Sequence, residues 1–336
     1  VDEQNILEVR NLKVQFTVDG GVLKAVDGVD LDLRSGQVLG IIGESGCGKS
    51  VTSQAILGIV PDPGTVVDGS IELRTKEGST VDIAKLGADS PAMRSIRGSQ
   101  IAIIFQEPMT SLSPVHTVGR QIDEMALLHR TRDPREAREI TLDMLRRVGI
   151  TNAEQRYHEY PNQLSGGLRQ RVMIAMALSC QPRILIADEP TTALDVTVQA
   201  QILDLMNRIQ RESSMSVLYI THDLGVIAEI ADDVVVMYLG KVVEQASKLR
   251  LFKHPLHPYT VRLLRSIPRL TDTGDRLDVI PGTVPLPVDL KPQCGFFQRC
   301  EDIADGRCET CTPGMVEAEP GHFVRCFRYG AAEERA

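Results

Sequence analysis

Apolar runs that alternate with helical periodicities predict an α/β protein with a mainly parallel sheet covered on both faces. Three observations carry that prediction. Val38-Leu39-Gly40-Ile41-Ile42 is a continuous apolar run, as a strand buried on both faces requires, and Ile184-Leu185-Ile186-Ala187 repeats it. Each run is followed by a segment with helical spacing. The chain is also long enough, at 336 residues with 42% hydrophobic content, for one main domain with appendages.

In chain order, Ile6 to Phe16 and Val29 to Leu33 alternate as strands. After the strand at Val38, a Gly-rich turn leads into a helix from about Lys49 to Ile59. Gly69 to Leu73 and Gln100 to Phe105 read as further strands. From Thr117 to about Val148 the pattern is helical, with Ile122, Met125 and Ala126, then Ile140, Met144 and Val148, at three- and four-residue intervals. A helix is expected from Ser165 to Ser179, then strand Arg183–Ala187, helix Val196–Glu212, strand Val217–Ile220, helix Leu224–Ala231 and strand Val234–Leu239. Prolines crowd the chain after Lys253, and residues 269–292 read as an extended connector to a Cys-rich tail.

Composition narrows the function. A net charge of -8 disfavours a broad phosphate-tracking surface, and the absence of Trp with only 4% aromatics disfavours base stacking. No nucleic acid partner is expected. No run reaches the roughly 18–20 apolar residues that span a bilayer, and Val1-Asp2-Glu3-Gln4 carries no secretory signal pattern. The expectation is a cytosolic chain whose membrane association comes through a partner.

Gly43-Glu44-Ser45-Gly46-Cys47-Gly48-Lys49-Ser50 joins an apolar strand to a helix. Glycines let the backbone curl so that N–H groups face phosphate oxygens, and the helix N-terminus adds partial positive charge. Lys49 can reach the β- and γ-phosphates, and the Ser50 hydroxyl can ligate Mg²⁺. Cys47 lies where thiol pKa values fall; a redox-sensitive thiol is one reading, and a tolerated small residue the favoured one.

The strand Ile184–Ala187 ends in Asp188-Glu189, at the sheet edge where α/β folds bind ligands. Asp188 suits a Mg²⁺ shell, and Glu189 suits polarising an attacking water. Leu164-Ser165-Gly166-Gly167-Leu168-Arg169-Gln170-Arg171 pairs an N-cap candidate with two glycines, exposing backbone amides at a helix start.

That octapeptide resembles the signature of the ABC ATPases, with Leu168 where Gln is usual. The resemblance implies an ABC-type P-loop ATPase fold: a mainly parallel sheet core, an antiparallel β subdomain, a helical subdomain at about 117–180 and a small Cys-rich extension. It implies that Gly43, Ser45, Gly46, Cys47, Gly48, Lys49, Ser50 and Val51 bind ATP, with Phe16 as the adenine-stacking aromatic. Residues 17–24 look like an insertion that could shift the register, so Phe16 as a core residue stays open. Gln106 matches the loop Gln that touches Mg²⁺ or water, Ala193-Leu194-Asp195 the loop crossing the dimer interface, and His222 the switch His contacting the γ-phosphate. Lys49, Gln106, Glu189 and His222 are the implied catalytic set, with Ser50, Gln106 and Asp188 on Mg²⁺. Ser165, Gly166 and Gly167 of one protomer would face the phosphate loop of another, so a second ATPase chain is required.

Phe105 to Leu112, Met173 to Ala177, Ala187 to Val196 and Met237-Tyr238-Leu239-Gly240 are similar to ATP-binding subunits of dipeptide, oligopeptide and nickel importers. His257-Pro258-Tyr259-Thr260, with Leu263, Leu264 and Pro268, resembles that group's C-terminal signature. The implied organisation is a nucleotide-binding domain at 1–245, an extension and linker at 246–292 and a Cys-rich tail at 293–330. Implied partners are two transmembrane permease subunits, a second ATPase chain (a related paralogue ahead of an identical copy) and, indirectly, an extracytoplasmic solute-binding protein. The implied location is peripheral, on the cytoplasmic face of the inner membrane. Members of the group carry four C-terminal cysteines, reported in some as ligands of a 4Fe-4S cluster. By their neighbours, Cys294, Cys300, Cys308 and Cys326 match, with Cys311 a fifth thiol that could replace Cys308. Zinc at the same residues and a merely buried thiol cluster are the alternatives. Competing functions are a soluble ABC ATPase acting on nucleic acid or ribosomes, and a P-loop kinase or GTPase; Glu189 and His222 argue against the latter.

Overall fold

The computed structural model describes residues 5–106, 111–192, 194–266, 280–304 and 306–330. The expected motif residues 107–110, Ala193, Pro268 and the connector residues 269–279 lie outside the described residues.

Twelve strands form two sheets among the described residues. The first is antiparallel, in the order β2-β1-β4-β5, from β1 (Asn5–Val18), β2 (Gly21–Arg34), β4 (Gly64–Arg74) and β5 (Thr80–Asp82). Residues 17–24 are therefore the tip of the β1–β2 hairpin. The second, eight-stranded sheet runs β11-β12-β10-β9-β3-β8-β7-β6. Its parallel centre comprises β3 (Val38–Ile42), β6 (Ile101–Ile104), β7 (Ile184–Asp188), β8 (Ser216–Ile220) and β9 (Asp233–Tyr238). Every residue of β3, β7 and β8 is buried, which explains their unbroken apolar runs.

Side chains alternate between two cores, as the two-residue period of a strand requires. Leu39, Ile41, Ile184, Ile186, Leu218 and Ile220 face the antiparallel sheet and helix α1 (Lys49–Ile56). Val38, Ile42, Leu185, Ala187, Val217 and Tyr219 face the helical layer on the other side. That layer contains α2 (Val118–His129), α3 (Pro134–Arg147), α4 (Gly166–Leu178), α5 (Val196–Ser213) and α6 (Leu224–Ile230). The helical pattern across Thr117–Val148 divides in two, because the Asp133 side chain caps α3 and Pro134 occupies its first turn.

The Cys-rich segment is part of the main sheet. Strands β10 (Lys241–Ser247), β11 (Val316–Glu319) and β12 (His322–Val324) extend the parallel centre with antiparallel pairings at one edge. A buried polar knot fixes this edge. The fully buried Glu244 carboxylate accepts from the Leu256 and His257 amides at 2.7 and 2.9 Å and pairs with His322 Nε2 at 2.7 Å. The His257 ring in turn accepts from the Tyr259 amide at 3.0 Å and caps α7 (Pro258–Arg265). Burial pulls the His257 pKa down to about 3, so the ring stays neutral as a capping acceptor must.

Candidate functional site

β3 sits between β8 and β9, so the loop that follows it opens where neighbouring connections diverge, the ligand-binding edge of an α/β sheet. Gly48 directly precedes α1 with φ +99, and a Cβ there would stand 2.3 Å from the Ala25 carbonyl oxygen. Only glycine fits. No side chain caps α1 and its first turn holds no acidic residue, which leaves its amides for an anion. Ser45 and Gly46 are exposed, Val51 is partly buried under the antiparallel sheet, and Gly43 is buried.

Lys49 is buried, and its Nζ donates to the carbonyls of Gly43 (2.8 Å) and Glu44 (3.1 Å) inside the loop's curl. The Cys47 thiol lies 3.8 Å from the same ammonium. Cys47 is fully buried, and that burial pushes its pKa up in spite of Lys49. Of the two readings of Cys47, burial supports the favoured one, a tolerated small residue, because desolvation outweighs the Lys49 charge.

β7 delivers the carboxylates. Ser50 Oγ donates to Asp188 Oδ1 at 3.1 Å, so two oxygen donors of the kind Mg²⁺ takes are adjacent. Burial raises the Asp188 pKa, an environment that a cation would relieve. Glu189 follows with φ +49, a left-handed conformation that costs a non-glycine residue about 1 kcal/mol or more. Its carboxylate is the meeting point of the site. Oε2 accepts from Gln106 Nε2 and from Thr192 Oγ1, both at 3.0 Å, and Oε1 lies 3.1 Å from His222 Nδ1. The structure thus brings Gln106, Glu189 and His222 together from three separate loops. Thr192 was not singled out in the sequence, although it lies three residues after Glu189.

Ser165 precedes α4 as expected, but its side chain makes no capping hydrogen bond. Gly166 is exposed, and a Cβ there would meet nothing within 4 Å; a Cβ at Gly167 would press 2.9 Å from Val198 Cγ1 on α5. Gln170, buried on α4, donates through Nε2 to the Pro190 carbonyl, tying α4 to the turn after Glu189. Asp195 caps α5 by accepting from Val198 N at 2.9 Å. Phe16 is half-buried on β1, its ring against Gly64 and the antiparallel core.

Cys294, Cys300, Cys308 and Cys326 line one small cavity with Phe296, Phe297 and Phe327. Cys311 does not line it and instead borders an adjoining groove of about 820 Å³, which Cys294 and Phe296 also line. Burial pushes the Cys294 pKa up to about 12, with smaller repulsions from the other thiols. No three His, Cys, Asp or Glu side chains among the described residues stand where they could hold one metal ion. A tetrahedral zinc needs sulfurs about 3.8 Å apart, from a Zn–S distance of about 2.3 Å. The thiols have the right chemistry and a shared cavity, but they do not form a ready single-ion site.

A family profile described as ABC transporter matches residues 26–192, and one described as oligopeptide/dipeptide transporter, C-terminal region, matches residues 243–308. The oligopeptide transport ATP-binding protein AppD of Bacillus subtilis is 49% identical, over 96% of this chain and 97% of its own. The dipeptide transport ATP-binding protein DppD of the same organism is 47% identical, over 99% and 97%. Among solved structures, the dimeric post-hydrolysis state of the ATP-binding cassette MJ0796 bound to ADP and Pi covers 72% of this chain and 98% of that one, with TM-score 0.62 and 26% identity. CbiO1 from Clostridium perfringens, part of the ABC transporter complex cbiONQ, covers 75% and 92%, with TM-score 0.61 and 28% identity.

Proposed function

The chain belongs to the ATP-binding subunits of ABC transporters, in the oligopeptide and dipeptide import branch, and on that premise we propose that its ATP hydrolysis drives peptide uptake through a membrane permease. The observation that carries the mechanism is the Glu189 carboxylate, gathered with Gln106, Thr192 and His222 at the mouth of the phosphate loop. Glu189 takes the proton of the attacking water, and Gln106 and Thr192 fix its orientation. Lys49, released from the Gly43 and Glu44 carbonyls, meets the β- and γ-phosphates, and His222, more than half exposed, is free to turn toward the γ-phosphate. Ser50, Asp188 and Gln106 would hold Mg²⁺, which supplies charge neutralisation on the phosphates. The glycine loop with Val51 would cradle the nucleotide, and Phe16 would stack on adenine.

Ser165, Gly166, Gly167 and Asp195 would serve the nucleotide of a second ATPase chain. Two features support this: the Ser165 hydroxyl is not spent on a cap, and nothing in this chain requires glycine at 166. The reading further assigns residues 1–245 to nucleotide binding, with the helical subdomain at 117–180, and residues 246–292 and 293–330 to the extension and tail. It also assigns a peripheral position on the cytoplasmic face of the inner membrane, with two permease subunits and a related ATPase chain as partners. No helix among the described residues is long and apolar enough to cross a membrane.

For the tail we carry the 4Fe-4S reading, with Cys294, Cys300, Cys308 and Cys326 as thiolate ligands. The observation that supports it is the one cavity that all four thiols line, since cluster ligation is a thiolate chemistry. Iron-free, zinc-loaded protein from anaerobic preparation would remove it.

Glu189→Gln tests the mechanism. The variant is expected to bind MgATP, accumulate as closed dimers and turn over at least about a hundredfold more slowly. Near-normal turnover would refute the assignment of Glu189. Affinity purification from intact membranes tests the transport role, with two multi-spanning proteins as the expected companions; recovery of ribosomes or DNA in their place would overturn it.

A further inference from the structure

Glu44, the second residue of the phosphate loop, is held from outside the loop by the C-terminal region. Its carboxylate receives both arms of the Arg299 guanidinium, Nη1 to Oε2 at 2.7 Å and Nη2 to Oε1 at 2.9 Å. Its backbone N–H donates to the Tyr259 hydroxyl at 2.8 Å, and its carbonyl accepts from Lys49 Nζ at 3.1 Å. Arg299 is itself fixed. Its Nε donates to the Pro281 carbonyl at 2.7 Å, Nη1 donates to the Tyr238 hydroxyl at 3.2 Å, and the guanidinium lies over the Tyr238 and Phe296 rings at 5.8 and 6.0 Å. The side chain is 5% exposed, and the Glu44 contact is the largest influence raising its pKa.

We propose that Arg299 is a positioning residue of the ATP site. Its planar fork holds Glu44 at a fixed place in the loop and neutralises a carboxylate that would otherwise stand against incoming phosphates. Because Arg299 directly precedes Cys300, and Phe296 lines the thiol cavity, the Cys-rich segment thereby reaches the nucleotide. Through this fork it sets nucleotide affinity without touching the reacting atoms. The proposal rests on the reading of Gly43–Ser50 as the nucleotide loop.

The test is MgATP binding and steady-state ATPase kinetics on the full chain, for wild type, Arg299→Gln, Arg299→Lys and the double variant Arg299→Gln/Glu44→Gln, with Lys49→Ala as control. Arg299→Gln is expected to raise Kd and KM about tenfold, equivalent to about 1.4 kcal/mol, with kcat within about twofold of wild type. The double variant is expected to regain affinity to within about threefold of wild type, a rescue that general damage to the tail cannot produce. Arg299→Lys keeps the charge but loses the fork, and is expected to weaken binding about threefold. Wild-type affinity in Arg299→Gln, or a double variant as weak as the single, overturns the proposal. If Arg299→Gln does not fold, Arg299→Lys decides, and unchanged affinity there overturns it. A wild-type chain whose MgATP affinity is indifferent to Lys49→Ala would instead overturn the underlying loop reading.

Discussion

Substituting Gly166 by alanine separates what this chain needs from what a second chain needs. Within the described structure Gly166 is exposed, does not use the left-handed region, and offers open space to a Cβ. It is the first residue of α4. Glycine inside a helix costs about 0.5–1 kcal/mol relative to alanine. With a terminal position taken at the lower end, Gly166→Ala should stabilise the isolated chain by about 0.5 kcal/mol. If the Ser-Gly-Gly tip closes on a nucleotide held by another protomer, the added methyl lies in that contact. ATPase activity is then expected to fall at least tenfold, about 1.4 kcal/mol, with nucleotide-free stability unharmed. Gly167→Ala is the internal contrast, since its Cβ would press on Val198 at 2.9 Å and should destabilise the isolated chain as well. Urea unfolding without nucleotide and steady-state ATPase assays read the two effects apart. Undiminished hydrolysis by a stable Gly166→Ala protein would refute the reasoning, because the glycine would then serve neither this chain nor a neighbour.

Further outcomes follow from the buried ionisable groups. Burial raises the folded-state pKa of Asp188, so its contribution to stability is present below the unfolded value of about 3.8 and is lost as pH rises through the folded value. Asp188→Asn should therefore unfold at higher urea than wild type at pH 7 without Mg²⁺, yet lose most of the stabilisation that saturating MgATP adds, about 2.7 kcal/mol at a hundredfold over Kd. Equal responses to MgATP would contradict the metal role. His257 has the opposite sign: its pKa is lowered to about 3, so its contribution is full above about 6.5 and is lost as pH falls toward 3. Stability should decline by up to about 1.4 kcal/mol per pH unit across that window, and His257→Asn, which keeps a capping acceptor, should flatten the decline. An unchanged slope in the variant would remove His257 as its source.

Features written in short contiguous stretches were legible in the sequence. The loop from Gly43 to Ser50 and the Asp188-Glu189 strand end each declare strand, turn and helix over a short run, and Ser165 declares a helix start through the two glycines that follow it. What escaped depends on partners distant in the chain. Arg299 lies 255 residues from Glu44, and nothing local to either marks the pairing. The Cys47 thiol follows the same logic, because a helix terminus is visible in sequence whereas the packing that buries the sulfur is not. His257-Pro258-Tyr259 was visible as a signature, but its physical content emerged only in three dimensions: a neutral cap, a first-turn proline and a hydroxyl on the phosphate loop. The break between α2 and α3 was available in Asp133-Pro134 and was masked by apolar spacing that continues on both sides.

The pairing of β12 with β10 also guards the molecule against its own copies. Without residues beyond about 310, β10 would present an open rim of unpaired amides and carbonyls beside the apolar Val242 and Val243, and the carboxylate of Glu244 would lose its imidazole. An uncapped strand of this kind is a template for edge-to-edge aggregation. Proteolytic trimming from the C-terminus should therefore deplete soluble protein, and the short tail strands act as a solubility device as much as a scaffold for their thiols.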